Sequence, residues 1–563
     1  MKKSHKEIHF SEEDAKALLK NASPEMKEYI RHLRYRIRNL SDIGLALSRE
    51  KNMNKLLEMI LLESKLIANA DGGTLYMIDK DTLRFEILMT DSLNFHMGGT
   101  AHQAPSFPPL GLYTESGKPN NTMIAVHVAL TGETINIPDA YKAEGFDFSG
   151  TKKFDKTTGY RSKSFLTVPL KNHEEEIIGV LQLINAQDAG TGEIVPFGPN
   201  VQDLVEALSS QAAVAITNKN LIKDLENLFE SFIKVIAGSI DAKSPYTGGH
   251  CQRVPVITML LADAVNKSTQ TPFKKIKLTE MEMYELKIAA WLHDAGKVAT
   301  PEHVVDKARK LETIYDRINN IATRFEILKR DREIEYLKRI NELEADRTLT
   351  EKARQREKKK AEKVFKEKTK TYDADLAFLS EVNYGSEFMS AEKIEKVKRV
   401  GSYKWSDNGV KKDFLTKEET ESLCIKHGTL SEEERKIVKD HVSVTIKMLE
   451  QLPYPRHLLN VCEYAGAHHE KMDGTGYPRG LTKENMSVQA RIMVIADIFE
   501  ALTACDRPYK KGKTLNEAMQ ILKKMKDDGH IDSDLFDVFV KEKIYLKYAK
   551  KYLLKAQIDT ILL

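Results

Sequence analysis

The sequence predicts a multidomain chain: an α+β module joined by one long helix to a second, helix-rich module that a charged insertion interrupts. Three observations carry this. The chain has 563 residues, more than one hydrophobic core usually organises. Residues 42–218 alternate between helical and extended apolar patterns. From about residue 199 the apolar residues recur at helical spacing, up to a run of Lys, Arg and Glu with few apolar interruptions.

Composition narrows the function classes. The chain is 41% hydrophobic, 30% charged and 7% aromatic, which is ordinary for a globular protein. Its net charge of +4, from 87 basic and 83 acidic residues, gives no general pull toward DNA, RNA or an anionic membrane, so none of these is expected as a partner. Cys251, Cys424, Cys462 and Cys505 lie far apart without a Cys-x-x-Cys pair, which excludes a zinc knuckle and a disulfide framework and fits the reducing cytoplasm. Residues 1–20 are charged throughout and hold no apolar core of signal-peptide length. The most apolar stretches, 177–184 and 491–502, are shorter than the roughly 20 residues that cross a bilayer as a helix.

Along the chain, residues 1–41 read as an N-terminal helical segment. Residues 54–68 have helical spacing, and 73–78, 83–89, 164–170 and 176–185 read as β segments. Residues 94–121 are rich in Gly, Pro, Ser and His, a loop composition suited to covering a ligand pocket. In the connecting helix, 199–240, the positions Leu204, Leu208, Ala212, Ala215, Ile216, Leu221, Leu225, Leu228, Phe232 and Ile236 follow helical spacing. Such a stripe either packs on its own domain or forms a parallel dimer helix that passes a signal. Residues 323–370 contain no Pro or Gly, so the insertion, 312–426, is expected to form long solvated helices arranged as a hairpin. It would serve as a spacer or as a partner-binding arm.

The residues that bear chemistry lie in the second module. Trp291-Leu292-His293-Asp294-Ala295-Gly296-Lys297 follows an apolar helical run. Adjacent His and Asp at a helix end can serve two neighbouring metals if the carboxylate bridges them, although a single such dipeptide equally serves as a helix-end hydrogen bond. His441 and the pair His468-His469 add imidazoles, the pair standing before the Gly-rich turn of Gly474-Thr475-Gly476-Tyr477-Pro478, where backbone can approach a ligand closely. Asp497 sits in the apolar run Met493-Val494-Ile495-Ala496-Asp497-Ile498-Phe499, and a carboxylate buried there must be paired, hydrogen-bonded or metal-bound. One metal centre accounts for all of them.

Two resemblances follow. Residues 70–78, the run Phe154-Asp155-Lys156-Thr157-Thr158-Gly159-Tyr160-Arg161-Ser162-Lys163-Ser164-Phe165, and Gly179-Val180-Leu181-Gln182-Leu183-Ile184-Asn185 resemble a GAF sensory domain, assigned here to 42–218. GAF ligands include cyclic nucleotides, haem and bilins, and some members bind none, so the ligand stays unknown; Ala186 stands where cyclic-nucleotide binders carry Lys. The second module resembles the HD-GYP family, an all-α HD-type metal-dependent phosphohydrolase fold, with an opening segment over 228–311 and a closing segment with C-terminal helices over 427–563. The likeness rests on Asp241-Ala242-Lys243-Ser244-Pro245-Tyr246-Thr247-Gly248-Gly249-His250-Cys251-Gln252-Arg253, on His293-Asp294, His441 and His468-His469, and on Ala496-Asp497 through Arg507-Pro508-Tyr509-Lys510.

The resemblance implies bacterial signal transduction: hydrolysis of cyclic di-GMP to pGpG or GMP under GAF control, in a homodimer held through the GAF domain and connecting helix, with the insertion available to a protein partner. It implies two divalent metal ions, iron or manganese by ligand type with zinc also compatible. His293, Asp294 and Asp497 would hold one ion, and Asp294, His441, His468 and His469 the other. Asp294 and Lys297 would be catalytic, Lys297 neutralising charge or protonating the leaving oxygen. Arg253, Gly476, Tyr477, Pro478, Arg507 and Lys510 would meet the substrate. Some relatives add a third metal through a Glu four residues before the His of the opening motif; here Tyr246 takes that place, which favours two ions and leaves His250 as an additional ligand or a substrate contact. Another cyclic dinucleotide such as 3',3'-cGAMP is the alternative substrate. A silent nucleotide-binding scaffold is the alternative of a different class, but such a protein would be expected to have lost ligand positions that this chain retains.

Overall fold

The computed structural model describes residues 22–243, 249–269, 271–385, 388–505 and 512–562. They form two compact units, 1–227 and 228–563.

In the first unit, helix α1 (Pro24–Arg49) starts where Ser23 accepts the Met26 N–H at 3.2 Å. Helix α2 (Met53–Ala68) is capped by Asn52, which accepts from Lys55 N–H, and ends at Asn69 in the left-handed region. Strands β1 (Ala70–Asp79), β2 (Thr82–Thr90), β3 (Phe95–Gly98) and β4 (Leu110–Gly111) precede helix α3 (Ile124–Thr131) and strand β5 (Ile135–Ile137). Helix α4 (Ser149–Thr158) leads to β6 (Phe165–Lys171), β7 (Ile177–Gln187) and β8 (Ile194–Val195). The sheet runs β3-β2-β1-β7-β6-β5, with β4 on β2 and β8 on β7. Every pairing is antiparallel, and the β1–β7 register sets Leu75 opposite Leu181. The stretch 94–121, expected to be loop, contains β3 and β4; its Gly and Pro content hid two strands of four and two residues.

One core layer joins α2 to the sheet through Leu56, Ile60 and Leu61 against Leu75, Leu181 and Leu183. Helix α5 (Pro199–Lys243) contributes Leu208, Ala212 and Ile216 to this core, so its first part packs on its own domain. Each leucine or isoleucine of this layer contributes about 1.5–3 kcal/mol on full burial.

In the second unit, α6 (His250–Lys267), α7 (Glu280–Leu292) and the short α8 (Glu302–Val305) precede the insertion. The insertion contains α9 (Ile318–Ala345), α10 (Glu351–Asn383), α11 (Ala391–Gly401), a hairpin of β9 (Lys404–Asp407) with β10 (Val410–Asp413), and α12 (Lys417–Leu423). Then come α13 (Glu432–Leu449), α14 (Val461–Gly466), α15 (Val488–Thr503), α16 (Leu515–Asp527), α17 (Ser533–Lys541) and α18 (Ile544–Tyr552). Outside the insertion the regular elements among this unit's described residues are all helices, packed around Ile257, Leu261, Leu286, Ile492, Val494 and Phe499.

The insertion is more than a solvated hairpin. Phe325 and Leu328 of α9, Leu379 of α10, Val400 of α11 and Phe414 form a core of their own, with the Phe325 and Phe414 rings 4.4 Å apart. These apolar residues are scattered over some ninety positions, so no single window of sequence looks like a core. The insertion is anchored at its base: Lys310 N–H donates to Asn383 O at 2.9 Å, and its Nζ donates to Leu423 O and Ile425 O at 3.1 and 2.9 Å.

Candidate metal centre

The capping box of Thr279 with Glu282 starts α7, and its last turn delivers His293 as the C-terminal cap and Asp294 beyond it. A tight turn over 295–299 then carries Lys297. Gly296 decides where that turn lies. A β-carbon at Gly296 would fall 1.9 Å from His441 O and 2.6 Å from Thr445 N, so only glycine allows the turn to abut α13. The Gly296 N–H donates to Thr445 Oγ1 at 2.8 Å, locking the contact that brings Asp294 against His441.

Helix α13 starts from a second capping box, Ser431 with Glu434, and both Glu434 carboxylate oxygens also accept from the buried Lys307 ammonium at 2.8 Å. His468 and His469 follow the short α14, which is tied to α7 by buried Glu285. That carboxylate accepts from Asn460 N–H at 2.6 Å and from Asn460 Nδ2 at 3.2 Å. Asp497 projects from the middle of α15.

Asp294 lies between the other groups. Its Oδ1 is 3.2 Å from His441 Nε2 and 3.9 Å from His468 Nε2. Its Oδ2 is 3.4 Å from His293 Nε2, 3.3 Å from His250 Nε2 and 2.6 Å from Lys297 Nζ. Asp497 Oδ1 is 3.2 Å from His250 Nε2 and 3.8 Å from His293 Nε2. Three overlapping groups bring ligand atoms within 4.8 Å of one another: His441, His468 and His469; His250, His293 and Asp497; and His293, Asp294 and His468. One carboxylate thus faces two sets of donors through its two oxygens, the arrangement that a bridging ligand requires.

The imidazoles are oriented from behind. His293, His441 and His468 place Nδ1 on the carbonyls of Ala290, Val438 and Ala465, at 2.9, 2.5 and 2.7 Å. A carbonyl only accepts, so each Nδ1 carries a proton, which leaves Nε2 as the ring atom that faces the cluster and could give a lone pair to a bound cation. Asp294 Oδ1, His441 Nε2 and His468 Nε2 are buried without an aligned hydrogen-bond partner. Leaving such groups unsatisfied costs about 1–3 kcal/mol each, and a divalent cation would satisfy all three. Mixed imidazole and carboxylate donors suit iron, manganese or zinc.

Electrostatics agree with this division. Burial pushes His468 well below the ordinary imidazole range and His469 down to about 4, so both are neutral and ready to ligate. At His250 and His293 burial also works against charge, but the carboxylates outweigh it: Glu500 with Asp294 and Asp497 raise His250, and Asp294 with Asp497 raise His293 to about 9. The carboxylate side of the cluster therefore draws positive charge. Lys297, whose charge burial alone would disfavour, is held protonated by Asp294.

The remaining predicted residues divide. Tyr477 stacks on His469, with centroids 4.9 Å apart and an interplanar angle of 24°, and its N–H donates to His469 O. Gly476 passes so close to Glu470 and Lys471 that a β-carbon would lie 2.4 Å from Lys471 N. Pro478 follows in a cis peptide. Arg253 does not stand open to substrate: its Nε lies 2.6 Å from Glu500 Oε1. Tyr246, Arg507 and Lys510 lie outside the described residues.

Sequence reasoning gave no role to the carboxylates that build the frame. Glu500 contacts His250 Nδ1 as well as Arg253, and Glu470, fully buried, accepts the N–H groups of Arg479 and Leu481 at 2.7 and 2.9 Å and so closes the Gly-Tyr-Pro loop. Glu500 lies three residues beyond Asp497 in the same apolar helix, and as a buried carboxylate it needs a partner just as Asp497 does.

Comparison with known proteins agrees with this organisation. Residues 52–216 match the GAF domain family and residues 418–535 match the HD domain family. A 3'3'-cGAMP-specific phosphodiesterase of Vibrio cholerae is 40% identical over 121 residues, 22% of this chain and 27% of that protein. A second Vibrio cholerae protein of that specificity is 41% identical over 101 residues, 18% of this chain and 21% of that protein. A cyclic di-GMP phosphodiesterase of Pseudomonas aeruginosa is 38% identical over 117 residues, 21% of this chain and 27% of that protein. The chain thus spans about a quarter of the length of the curated relatives it matches. It joins a GAF domain to an HD domain, and over its HD region it is similar to proteins named as cyclic dinucleotide phosphodiesterases.

Proposed function

We propose that the chain is a metal-dependent phosphodiesterase that hydrolyses cyclic di-GMP to pGpG or GMP under control of its GAF domain. The observation that carries this reading is the cluster of buried, unpartnered donor atoms of Asp294, His441 and His468 beside His250, His293 and Asp497. The names of the relatives over the HD region support the substrate class.

The residues divide the work. His293, Asp294, Asp497 and His250 would hold one divalent cation, and Asp294, His441, His468 and His469 the second. Such a pair supplies Lewis-acid activation of a water and of the phosphodiester. Backbone carbonyls fix the imidazoles before substrate arrives, so orientation costs little at the moment of reaction. Lys297, charged and 2.6 Å from Asp294, is suited to stabilising negative charge on the phosphate more than to giving up its proton. Tyr477, stacked on His469, offers a face against which a guanine could lie.

The partners follow from exposed surfaces. Beyond the part of α5 that packs on the sheet, Leu221, Leu225, Leu228, Phe232 and Val235 repeat at four and three residues and are 53–67% exposed. That is a heptad seam, and we assign it to a second copy of the chain in a parallel dimer. The α9–α10 hairpin exposes Ile334, Leu337 and Val364, which supports a partner-binding arm. Four free cysteines fit a reducing cytoplasm, and no helix among the described residues is long and apolar enough to cross a membrane.

Because two relatives are named for 3'3'-cGAMP, substrate choice is tested by competition. With equal concentrations of cyclic di-GMP and 3',3'-cGAMP, manganese-loaded protein should consume cyclic di-GMP first. Preferential loss of 3',3'-cGAMP would assign the alternative substrate.

A further inference from the structure

Helix α5 ends in the second unit, beside the turn that carries Lys297. It is tied to α7, where Glu230 accepts from Lys287 Nζ at 2.9 and 3.0 Å, and its Ala237 and Ile240 join Cys251 and Ala295 in a small buried cluster against Trp291. Its final residue, Lys243, reaches the end of the 295–299 turn. Nζ donates to Lys297 O at 3.2 Å, to Val298 O, and to Thr300 O at 2.8 Å.

The last carbonyls of a short helical turn have no partners within it, and a cation is favoured there. An ammonium offers three N–H donors, and that of Lys243 meets three carbonyls. The backbone of Lys297 is thereby fixed on both sides. Its N–H donates to Asp294 O at 2.9 Å, and its carbonyl accepts from the Thr300 N–H at 3.1 Å as well as from Lys243. From this backbone the Lys297 ammonium reaches Asp294 Oδ2 at 2.6 Å. Gly296 of the same turn abuts α13, so the turn is held from α5 and from α13 together.

We propose that Lys243 is a positioning residue for Lys297: by holding the end of the turn it fixes the point from which the Lys297 ammonium meets the phosphate, a role that rests on the phosphodiesterase reading of the site. A misplacement on the order of 1 Å costs about 100-fold in rate. The ligands His293 and Asp294 are set instead by the end of α7 and by the Gly296 contact. Loss of the Lys243 donors therefore lowers kcat far more than it weakens the binding of metal or substrate.

The test compares the full chain with Lys243→Met, which keeps an unbranched side chain and removes its donors. Amide hydrogen exchange of the 294–300 segment should quicken about tenfold or more, with α6 and α15 exchanging as before. In the manganese-loaded protein, kcat for cyclic di-GMP should fall about 10- to 100-fold, with KM within about threefold of the unaltered value. Added to Lys297→Met, the same change should cost less than about twofold further in kcat, because the group it positions is already gone. Lys243→Gln, which removes the charge and keeps a polar end, gives the same readings if the methionine variant does not fold. Unchanged exchange, an unaltered kcat, or the full loss of kcat persisting beside Lys297→Met would each overturn the proposal. If the unaltered chain hydrolyses no cyclic dinucleotide, the phosphodiesterase reading fails, and the exchange of 294–300 still decides whether Lys243 holds the turn.

Discussion

Glu500 holds His250 by Nδ1 and leaves its Nε2 between Asp294 and Asp497, 3.3 and 3.2 Å away. A carboxylate behind an imidazole fixes the ring and raises its basicity as a ligand. His250 is thereby drawn into the donor set on the side of His293, and the same Glu500 occupies Arg253. Glu500→Gln keeps the size of the side chain and removes its charge. Metal affinity or turnover should fall about 10- to 100-fold, with the helical circular dichroism unchanged. Metal affinity and turnover both at the unaltered level would show that Glu500 plays no part in the site.

Gly296 is a packing requirement of the site, being within 1.9 Å of His441 O at its would-be β-carbon. Gly296→Ala must push the 295–299 turn away from α13 and separate Asp294 from His441. A loss of stability on the order of 1–3 kcal/mol is expected, read as a lower denaturation midpoint, together with weaker metal binding. A variant with the same midpoint and the same metal content would show that the two elements can part without consequence.

Lys310, 1% exposed, is pushed by burial down to about 8, below the value near 10.4 of an unfolded lysine. The unfolded chain therefore holds the extra proton between those values, and stability must rise as pH increases from about 8 toward 10. Lys310→Met, measured beside the unaltered chain in urea at pH 7.5 and 9.5, should lack that rise, the difference being on the order of 2 kcal/mol. Parallel behaviour of the two proteins would mean that the Lys310 ammonium is not disfavoured in the fold.

The exposed seam of α5 predicts a dimer. Replacing Leu225 and Leu228 by Glu places charge on two neighbouring seam positions, which are 67% and 53% exposed in the single chain. Light scattering should report about half the mass of the unaltered protein, with metal content retained. A mass unaffected by the change would place the dimer contact elsewhere or exclude it.

Much of the framework was legible in sequence because the signal was local. The periodicity of 54–68 appears as α2, and the extended runs appear as β1, β2, β6 and β7, since α2 buries one apolar face and β1, β6 and β7 bury continuous runs of residues. The candidate ligands stood out because His and Asp are rare in apolar helices. The supporting carboxylates did not, since Glu285 acts on Asn460 across 175 positions and Glu500 on His250 across 250, distances that only tertiary packing closes. The core of the insertion was hidden for the same reason: Phe325 and Phe414 meet across the whole charged hairpin.

The proposed chemistry stands on two cations held around Asp294 and acting on a cyclic dinucleotide. Metal content and turnover of cyclic di-GMP should be measured together on anaerobically purified chain and on Asp294→Ala. About two iron or manganese ions per chain with formation of pGpG or GMP are expected in the first, and loss of both metal and turnover in the second. A metal-replete chain that leaves cyclic di-GMP intact, or an Asp294→Ala chain that hydrolyses it at the unaltered rate, would contradict that chemistry.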